Sequence, residues 1–426
     1  MNVHLAYGEA GLDVELPDHA VVLAPNRVAG LAGPERAVAE AVARPLASPP
    51  LAELVPAGER VAIVVSDITR PVPNRLLLPP ILEAVHGAGV DRDAVTIVIG
   101  TGMHRAGTPE EVERILGPEL ASAYRVVNHD ARDPSTLRSV GTNARGVDVA
   151  FNRDYLDAGV RILTGFVEPH IFAGYSGGGK AVLPGVAGAE IVMSNHAADM
   201  LGHPNATWCV AAGNPIFEEQ RDLALRTKPS FSVNVTLNER REVTGVFAGE
   251  LVASHDAGIA QAERQYVRDV DREFDIVVST NMGYPADLNL YQSVKGMSVA
   301  ARAVREGGAI VLAAECRDGL GLAEYVELLT SEASPRALLE RIHAPGFARY
   351  DQWGVQCQVM VQAKADVWLH SAMSRETTEA AHLGYSAGVS ATVEDLCARH
   401  RADHGREPSI AVLPHGHLTV PRVVDA

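Results

Sequence analysis

The chain has 426 residues, of which 47% are apolar and 21% are charged. At about 100–200 residues per domain this length predicts two or three domains, and the charged fraction excludes a wholly disordered chain. The 53 acidic residues outnumber the 37 lysines and arginines, giving a formal charge of −16, which argues against a dedicated nucleic-acid binder. The sequence has no membrane-length apolar run, no signal pattern and no CxxC pair among its four cysteines. We therefore expect a cytoplasmic protein.

Short runs rich in Val and Ile, without polar alternation, predict buried parallel strands along the chain. Helices are predicted between them at residues 74–88, after the capping box that begins at Thr108, and at residues 393–404. Strands that alternate with helices indicate an α/β fold with mainly parallel sheets. The predicted strands are Val61–Ser66, Val95–Gly100, Val160–Thr164, Asp275–Ser279, Ala309–Ala313, Ala365–Leu369 and Ile410–Leu413.

A domain boundary is predicted near residue 270, where a charged stretch closes one helix and an apolar strand begins. This divides the chain into an N-terminal α/β domain, residues 1–270, and a C-terminal α/β domain, residues 271–426. Polar residues cluster directly after several of the predicted strands. Because ligands bind outside the carboxyl ends of open parallel sheets, we expect the active site in a cleft between the two domains.

The least generic segment is the run from Gly165 to Lys180, which ends in three consecutive glycines and the lysine. Glycines let backbone N–H groups approach an anion closely, and the lysine adds a charge or a nucleophilic amine. Residues 174–180 also fit the phosphate-loop pattern GxxxxGK, although Ala181 replaces the hydroxyl residue that binds magnesium. Residues 174–178 fit the GxSxG elbow of serine hydrolases, without a preceding strand of the usual length. A purely structural glycine turn is a further alternative.

Histidines near strand and helix ends are the candidate acid, base and metal ligand. His104 and His170 follow predicted strands, where a matched pair of imidazoles can exchange protons near neutral pH. His196 lies at the end of a predicted helix and, as a neutral imidazole, can bind a borderline metal such as nickel or zinc. His129 is a competing candidate.

A second cluster suits a carboxylate substrate. Tyr291, Gln292 and Lys295 share one face if their segment is helical, and together they offer a hydroxyl, an amide and an ammonium. Arg70 offers a forked guanidinium after another strand for the same purpose. The alternative for the helical segment is an ordinary solvated surface.

Taken together, these segments resemble the nickel-dependent lactate racemase family. The matches occur in chain order over most of the sequence, and the run from Ser176 to Gly185 is the most specific of them. The further matching segments are Ser66–Pro73, Gly100–Arg105, Ser194–His196, Tyr291–Met297 and Asp351–Trp353.

The resemblance implies an isomerase that racemises or epimerises a 2-hydroxy acid. It implies a nickel-pincer nucleotide (pyridinium-3,5-bisthiocarboxylic acid mononucleotide nickel) bound covalently to Lys180, with His196 as a nickel ligand and His104 and His170 as the acid and base. The implied mechanism is proton-coupled hydride transfer to this cofactor through a 2-keto acid. The residues implied near the cofactor are Asp67, Thr69, Ser176, Gly177 and Gly178, and those implied to bind the substrate are Arg70, Tyr291, Gln292, Lys295 and Trp353.

Three positions depart from the family pattern. Gly179 stands where an Arg often precedes the lysine, Ile68 where a His is common, and Met103 where a Phe is common. The substrate is therefore expected to be a small 2-hydroxy acid, with lactate, malate, larger hydroxy acids and sugar acids all open. A homologue that binds the cofactor without turnover is the alternative function. Enzymes of cofactor synthesis are expected partners, whereas nucleic acid and membranes are not.

Overall fold

The computed structural model describes residues 1–424 as an α/β protein with mostly parallel sheets, as predicted. Within these residues, no helix combines the length and apolar character needed to cross a bilayer. The strands are β1 (Asn2–Leu5), β2 (Leu12–Glu15), β3 (Val21–Val22), β4 (Val61–Ser66), β5 (Val95–Gly100), β6 (Arg125–Asn128), β7 (Leu137–Thr142), β8 (Asp148–Asn152), β9 (Val160–Phe166), β10 (Pro169–His170), β11 (Gly174–Tyr175), β12 (Phe231–Leu237), β13 (Val243–Gly249), β14 (Val267–Val270), β15 (Phe274–Thr280), β16 (Val304–Ala313), β17 (Ala365–His370), β18 (Gly384–Tyr385), β19 (Ile410–Leu413) and β20 (Val420–Val423).

Helices cover the faces of the two larger sheets. The α-helices are α1 (Pro34–Ala43), α2 (Leu51–Leu54), α3 (Asn74–Gly87), α4 (Pro109–Leu116), α5 (Pro118–Ala123), α6 (Arg153–Asp157), α7 (Ala189–Asn195), α8 (Ala198–Leu201), α9 (Pro215–Arg226), α10 (Leu251–Tyr266), α11 (Leu290–Ala300), α12 (Ala323–Leu329), α13 (Pro335–Ile342), α14 (Gln352–Lys364), α15 (Arg375–Ala380) and α16 (Val389–His404). Short 3-10 turns occupy Arg92–Ala94, Pro134–Thr136, Gly178–Ala181 and Gly416–Leu418.

Two compact units make up the described chain. The N-terminal unit contains residues 27–196 and 203–265, and the C-terminal unit contains residues 1–26, 197–202 and 266–424. The break at residue 265 lies close to the predicted boundary, but the first 26 residues were assigned to the other domain. They join the C-terminal unit because β3 extends its sheet beside β19, and because Leu5 and Leu16 are buried in the same core as Ile276.

The N-terminal unit has a six-stranded sheet in the order β13-β12-β9-β4-β5-β6. Only the pair of β12 and β13 is antiparallel. The chain runs outward from β4 through β5 to β6 and then returns to the other side of β4 as β9. The strand order therefore reverses between β4 and β9, and such a reversal opens a crevice at the carboxyl ends of the two strands.

The C-terminal unit has a parallel six-stranded sheet in the order β18-β17-β16-β15-β19-β3. Here the order reverses between β15 and β19, and α11 follows the carboxyl end of β15. In both units, the polar segments singled out in the sequence follow a strand at the reversal.

The predicted elements agree with the observed ones in type, and β4, β5 and β19 agree in both bounds. The capping box at Thr108 is present, since its hydroxyl accepts the Glu111 N–H and the Glu111 carboxylate accepts the Thr108 N–H. Strand β16 begins at Val304 rather than at Ala309. Strand β12, which is buried along its whole length, was not predicted.

Candidate active site

Three loops of the N-terminal unit bring most of the predicted site residues to one edge of the sheet. Residues 67–73 follow β4, residues 101–108 follow β5, and residues 167–177 follow β9, and these three strands are neighbours. The loop after β5 is joined to the end of the glycine-rich run, because Gly102 N donates to the Gly185 carbonyl oxygen over 3.0 Å. The edge is the place that the strand-end argument predicted.

The first imidazole is held by a carboxylate. His104 Nδ1 lies 2.8 Å from Asp67 Oδ2, and Thr69 donates its hydroxyl to Asp67 Oδ1 over 2.6 Å. Burial alone would raise the pKa of Asp67, but the hydrogen bonds and charge of His104, with Thr69 and the charge of Arg70, hold it below the ordinary value. Because an ionised carboxylate only accepts, the proton of neutral His104 lies on Nδ1 and the basic nitrogen is Nε2.

The second imidazole has the opposite arrangement. His170 lies in a short hairpin in which β10 pairs with β11, opposite Gly174. The Ala173 N–H donates to His170 Nδ1 over 3.2 Å. A nitrogen that accepts carries no proton, so neutral His170 is protonated on Nε2. The two candidate acid–base residues thus differ in which nitrogen carries the proton.

Phe172 links the second imidazole to the predicted metal ligand. Its ring centroid lies 4.6 Å from that of His170 and 5.0 Å from that of His196, edge-on in both cases. His196 follows α7, and its Nδ1 lies 3.0 Å from the Val192 carbonyl oxygen, which places the proton on Nδ1. Burial, with the nearby charge of Lys180, lowers the pKa of His196 to about 3. At neutral pH this imidazole is therefore uncharged, as a metal ligand must be.

The glycine-rich run adopts a backbone that side chains would not allow. Gly174, Gly177 and Gly178 have φ values of +71°, +79° and +52°. A Cβ on Gly174 would lie 2.1 Å from the Val210 carbonyl oxygen, so the chain passes here at backbone contact distance.

The same turn argues against both short-motif alternatives. The Ser176 hydroxyl is buried, donates to the Phe166 carbonyl over 2.7 Å and accepts from the Glu168 N–H over 3.0 Å, so it is not presented as a nucleophile. The residues after it form the 3-10 turn Gly178–Ala181 instead of the α-helix whose N-terminus a phosphate loop requires. The Gly178 N–H points inward and donates to Asn234 Oδ1 over 3.0 Å.

Lys180 has an unusual environment for an amine. Burial lowers the pKa of Lys180 to about 7, the charge of Arg70 lowers it further, and the charge of Glu168 opposes both. About half of the side chain is therefore the nucleophilic neutral amine at pH 7, compared with about one part in a thousand or less for an ordinary lysine. Glu168 was not among the predicted site residues, although it stands within the run that was singled out.

The three departures from the family pattern are absorbed by packing. Ile68 contacts the core on one face of the sheet, and Met103 contacts the core on the other face. A Cβ on Gly179 would lie 2.8 Å from the Gln220 carbonyl oxygen in α9, so the backbone leaves little room for a side chain there. The competing candidate His129 is a core residue, with Nε2 2.9 Å from the Ala187 carbonyl oxygen.

The C-terminal unit brings its own predicted residues together on α11 and α14. The segment is helical as predicted, with the Asn289 side chain accepting the Gln292 N–H at its N-cap. Lys295 Nζ donates to Gln292 Oε1 over 3.1 Å, which places both on one face. Tyr291 donates its hydroxyl to Asp351 Oδ1 over 3.0 Å.

Trp353 belongs to the same group. Its ring lies edge-on to Tyr350, with centroids 5.4 Å apart, and it also hydrogen-bonds with the Tyr291 hydroxyl. Burial and the Asp351 carboxylate raise the pKa of Tyr291, so this phenol stays protonated and acts as a donor. Asp351 was quoted in the sequence match but was not assigned a role, because its contact to Tyr291 spans 60 residues.

Both halves of the chain match known families. Residues 7–209 match the family model described as lactate racemase N-terminal domain, and residues 270–420 match that described as lactate racemase C-terminal domain. The chain is 32% identical to lactate racemase from Thermoanaerobacterium thermosaccharolyticum over 365 residues, covering 83% of this chain and 84% of the relative. It is 30% identical to lactate racemase from Lactiplantibacillus plantarum over 390 residues, covering 90% and 89%.

Solved structures agree with these matches. The lactate racemase apoprotein from Thermoanaerobacterium thermosaccharolyticum superposes with a TM-score of 0.91 at 28% identity, covering 99% of this chain and 100% of that one. A Thermotoga maritima protein shares the fold with a TM-score of 0.67 at 19% identity, covering 92% and 98%. The fold and site therefore define an α/β isomerase. The chain belongs to the lactate racemase family, which confirms the resemblance stated from the sequence.

The lowered pKa of Lys180 is testable on the protein without any cofactor. Labelling with sulfosuccinimidyl acetate and peptide mapping should give a Lys180 reactivity that reaches half of its maximum near pH 7. Arg70→Gln removes a repelling charge and should move this midpoint up, whereas Glu168→Gln removes an attracting charge and should move it down. The surface residue Lys228, mapped in the same digest, monitors the reagent. A Lys180 midpoint above pH 10 in all three proteins would contradict the assignment.

The Asp67–His104 contact should contribute to stability in a pH-dependent way. Asp67→Asn is expected to lower the free energy of unfolding by about 1–2 kcal/mol at pH 7, since a hydrogen bond to a charged group is lost. Because the pKa of Asp67 is lowered in the folded state, this difference should disappear as the pH falls through that pKa. Calorimetry at several pH values measures it, with the exposed Asp93→Asn as the control. A difference that does not change with pH would refute the charged contact.

Proposed function

We propose that this chain racemises a small 2-hydroxy acid with a nickel-pincer nucleotide held on Lys180. The observation that carries the proposal is the convergence, on one sheet edge, of His104 and His170 with opposite protonated nitrogens and of an amine with a pKa of about 7. An interconversion of mirror-image alcohols needs a proton acceptor and a proton donor, and such a pair supplies both.

The donor set of the N-terminal unit fits such a group. Among residues 1–424, no three His, Cys, Asp or Glu side chains are grouped to hold a metal ion by themselves. A metal bound at neutral His196 would therefore need its other ligands from a non-protein group, and the sulfur and carbon donors of a pincer nucleotide are ligands of that kind. Lys180 supplies the amine that a covalent attachment requires.

In this proposal Lys180 would hold the group covalently, His196 would bind nickel through Nε2, and Asp67 and Thr69 would lie near the nucleotide. When bound, the group supplies an electrophilic carbon that accepts the α-hydrogen of the substrate as hydride and returns it. Ser176, Gly177 and Gly178 would act by shaping the turn, since the Ser176 hydroxyl and the Gly178 N–H are bonded within the protein.

The acid–base steps follow from the two imidazoles. His104 would take the hydroxyl proton of one enantiomer at Nε2, and Asp67 would stabilise the imidazolium that results. His170 would hydrogen-bond the substrate oxygen through its Nε2–H. Full proton donation from His170 requires its doubly protonated form, in which Nδ1 can no longer accept from the Ala173 N–H, so this contact must open. For the other enantiomer the two roles exchange.

Cations and donors would hold the substrate carboxylate. We assign Arg70, Tyr291, Gln292, Lys295 and Trp353 to this task, as predicted from the sequence. The relatives are named for lactate, and we propose lactate or another 2-hydroxy acid with a single carboxylate. Neither Ile68 nor Gly179 supplies the additional positive charge that a second carboxylate would require. The cytoplasmic location and the supply of the cofactor by synthesis enzymes remain predictions.

Co-expression with nickel-pincer synthesis enzymes tests the proposal. Intact mass and peptide mapping should show the nucleotide adduct on Lys180 and none on Lys180→Arg. The loaded protein, given pure D- or L-lactate, malate or glycerate, should form the antipode of at least one of them, as measured by chiral chromatography. Loading without turnover on any 2-hydroxy acid would support the alternative of a cofactor-binding homologue, and an absent adduct would refute the proposal.

The two histidines make a separate prediction. His104→Ala and His170→Ala should load like the wild type but lose at least about 100-fold in kcat/KM, as is typical when a positioned acid or base is removed. Because the equilibrium constant between enantiomers is 1, each loss must be equal in both directions. Polarimetry from each pure enantiomer measures this. Retained turnover in either fully loaded variant would contradict the assigned role.

A further inference from the structure

Two buried polar residues lie beneath the glycine-rich turn and take no part in the proposed chemistry. They are Asn234 on β12 and His255 on α10, and we call them the turn platform. Both fall between the segments that match the family models, residues 7–209 and 270–420. They come from elements 54 and 75 residues beyond Lys180 in the numbering, so no local motif connects them to it.

His255 supports the turn from one side. Its Nε2 lies 2.9 Å from the Ser176 carbonyl oxygen, and its ring stacks on Phe217 with centroids 5.6 Å apart. Its buried Nδ1 has no hydrogen-bond partner, and a Cβ on Gly178 would lie 2.2 Å from that nitrogen. The imidazole and the glycine backbone therefore occupy adjoining space with none to spare.

Asn234 supports the turn from below the sheet edge. Its Oδ1 accepts the Gly178 N–H over 3.0 Å, and its Nδ2 donates to Ser232 Oγ over 2.9 Å, which fixes the orientation of the amide. Cβ atoms on Gly165 and Gly177 would lie 2.7 and 2.9 Å from the same Oδ1. Glycines on two separate segments are thus required by one side-chain oxygen.

The platform stays uncharged beside a cationic neighbourhood. Burial lowers the pKa of His255 to about 4, with a small contribution from the charge of Lys180. An imidazolium would also need a partner for a proton on Nδ1, and none is present. A neutral platform can therefore hold the turn at neutral pH without adding a further positive charge near the amine.

We propose that His255 and Asn234 are positioning residues, which fix the turn from Ser176 to Lys180 so that the Lys180 amine is presented for covalent attachment of the cofactor. This inference rests on the proposed function. The link from platform to amine is short, because the Lys180 N–H donates to the Gly177 carbonyl over 3.1 Å, directly beside the residues that the platform holds. Small displacements of a reacting group lower rates steeply, so a loosened turn should slow attachment.

The experiment compares five proteins: wild type, His255→Ala, His255→Gln, Gly178→Ala and the double variant Gly178→Ala/His255→Ala. His129→Ala is the matched control, since His129 is also buried with Nε2 on a backbone carbonyl and Nδ1 without a partner. Hydrogen exchange of the 174–185 peptide is measured without cofactor, and the adduct fraction at Lys180 is measured after co-expression with the synthesis enzymes.

In His255→Ala the turn amides should exchange about tenfold faster, which corresponds to the loss of one hydrogen bond, and adduct formation should fall by a similar factor. His255→Gln keeps a donor near the Nε2 position and should restore both values to within about twofold of the wild type. Gly178→Ala should load poorly, and removal of the imidazole in the double variant should recover part of that loss. His129→Ala should lower the melting temperature while leaving turn exchange and loading unchanged.

Two results would overturn the inference. One is wild-type turn exchange in His255→Ala. The other is a double variant that loads no better than Gly178→Ala. A wild-type protein that never forms the adduct would instead refute the proposed function, while the exchange measurement still decides whether the platform holds the turn.

Discussion

The adjacency of β4, β5 and β9 in one parallel sheet is the constraint on which the N-terminal site depends. Parallel strands direct their carboxyl ends to the same edge, so loops that are 40 to 100 residues apart in sequence become neighbours. The reversal of strand order between β4 and β9 leaves room there for side chains. Asp67, His104 and Lys180 owe their common environment to this topology and to the turn that no larger residue than glycine permits.

Much of the fold was predictable because its strands are apolar on both faces. Strands such as β4 and β5 read as continuous Val and Ile runs, and α11 could be assigned from the spacing of its polar residues. Strand β12 was missed because Asn234 and Thr236 alternate with apolar residues, which resembles a half-exposed strand. Their burial is explained only by partners elsewhere in the fold, which a local pattern does not contain.

The candidate site divides in the same way. Residues within the conspicuous segments, such as Lys180 and His170, were found because the chemistry of each is visible in its own sequence. The proton positions on the two imidazoles were not, since they depend on Asp67 and on the Ala173 backbone. Nor was the absorption of the three departures, because whether a side chain enters a pocket or a core is decided by tertiary packing.

The placement of the first 26 residues has a consequence for how the chain is made. They leave the ribosome first, yet β3 pairs with β19, which leaves among the last. The N-terminal unit, whose sheet is complete by residue 249, can fold while the opening segment still lacks its partner. The C-terminal sheet thus closes across nearly the whole length of the polypeptide, a contact of high sequence separation that costs chain entropy and slows the last stage of folding.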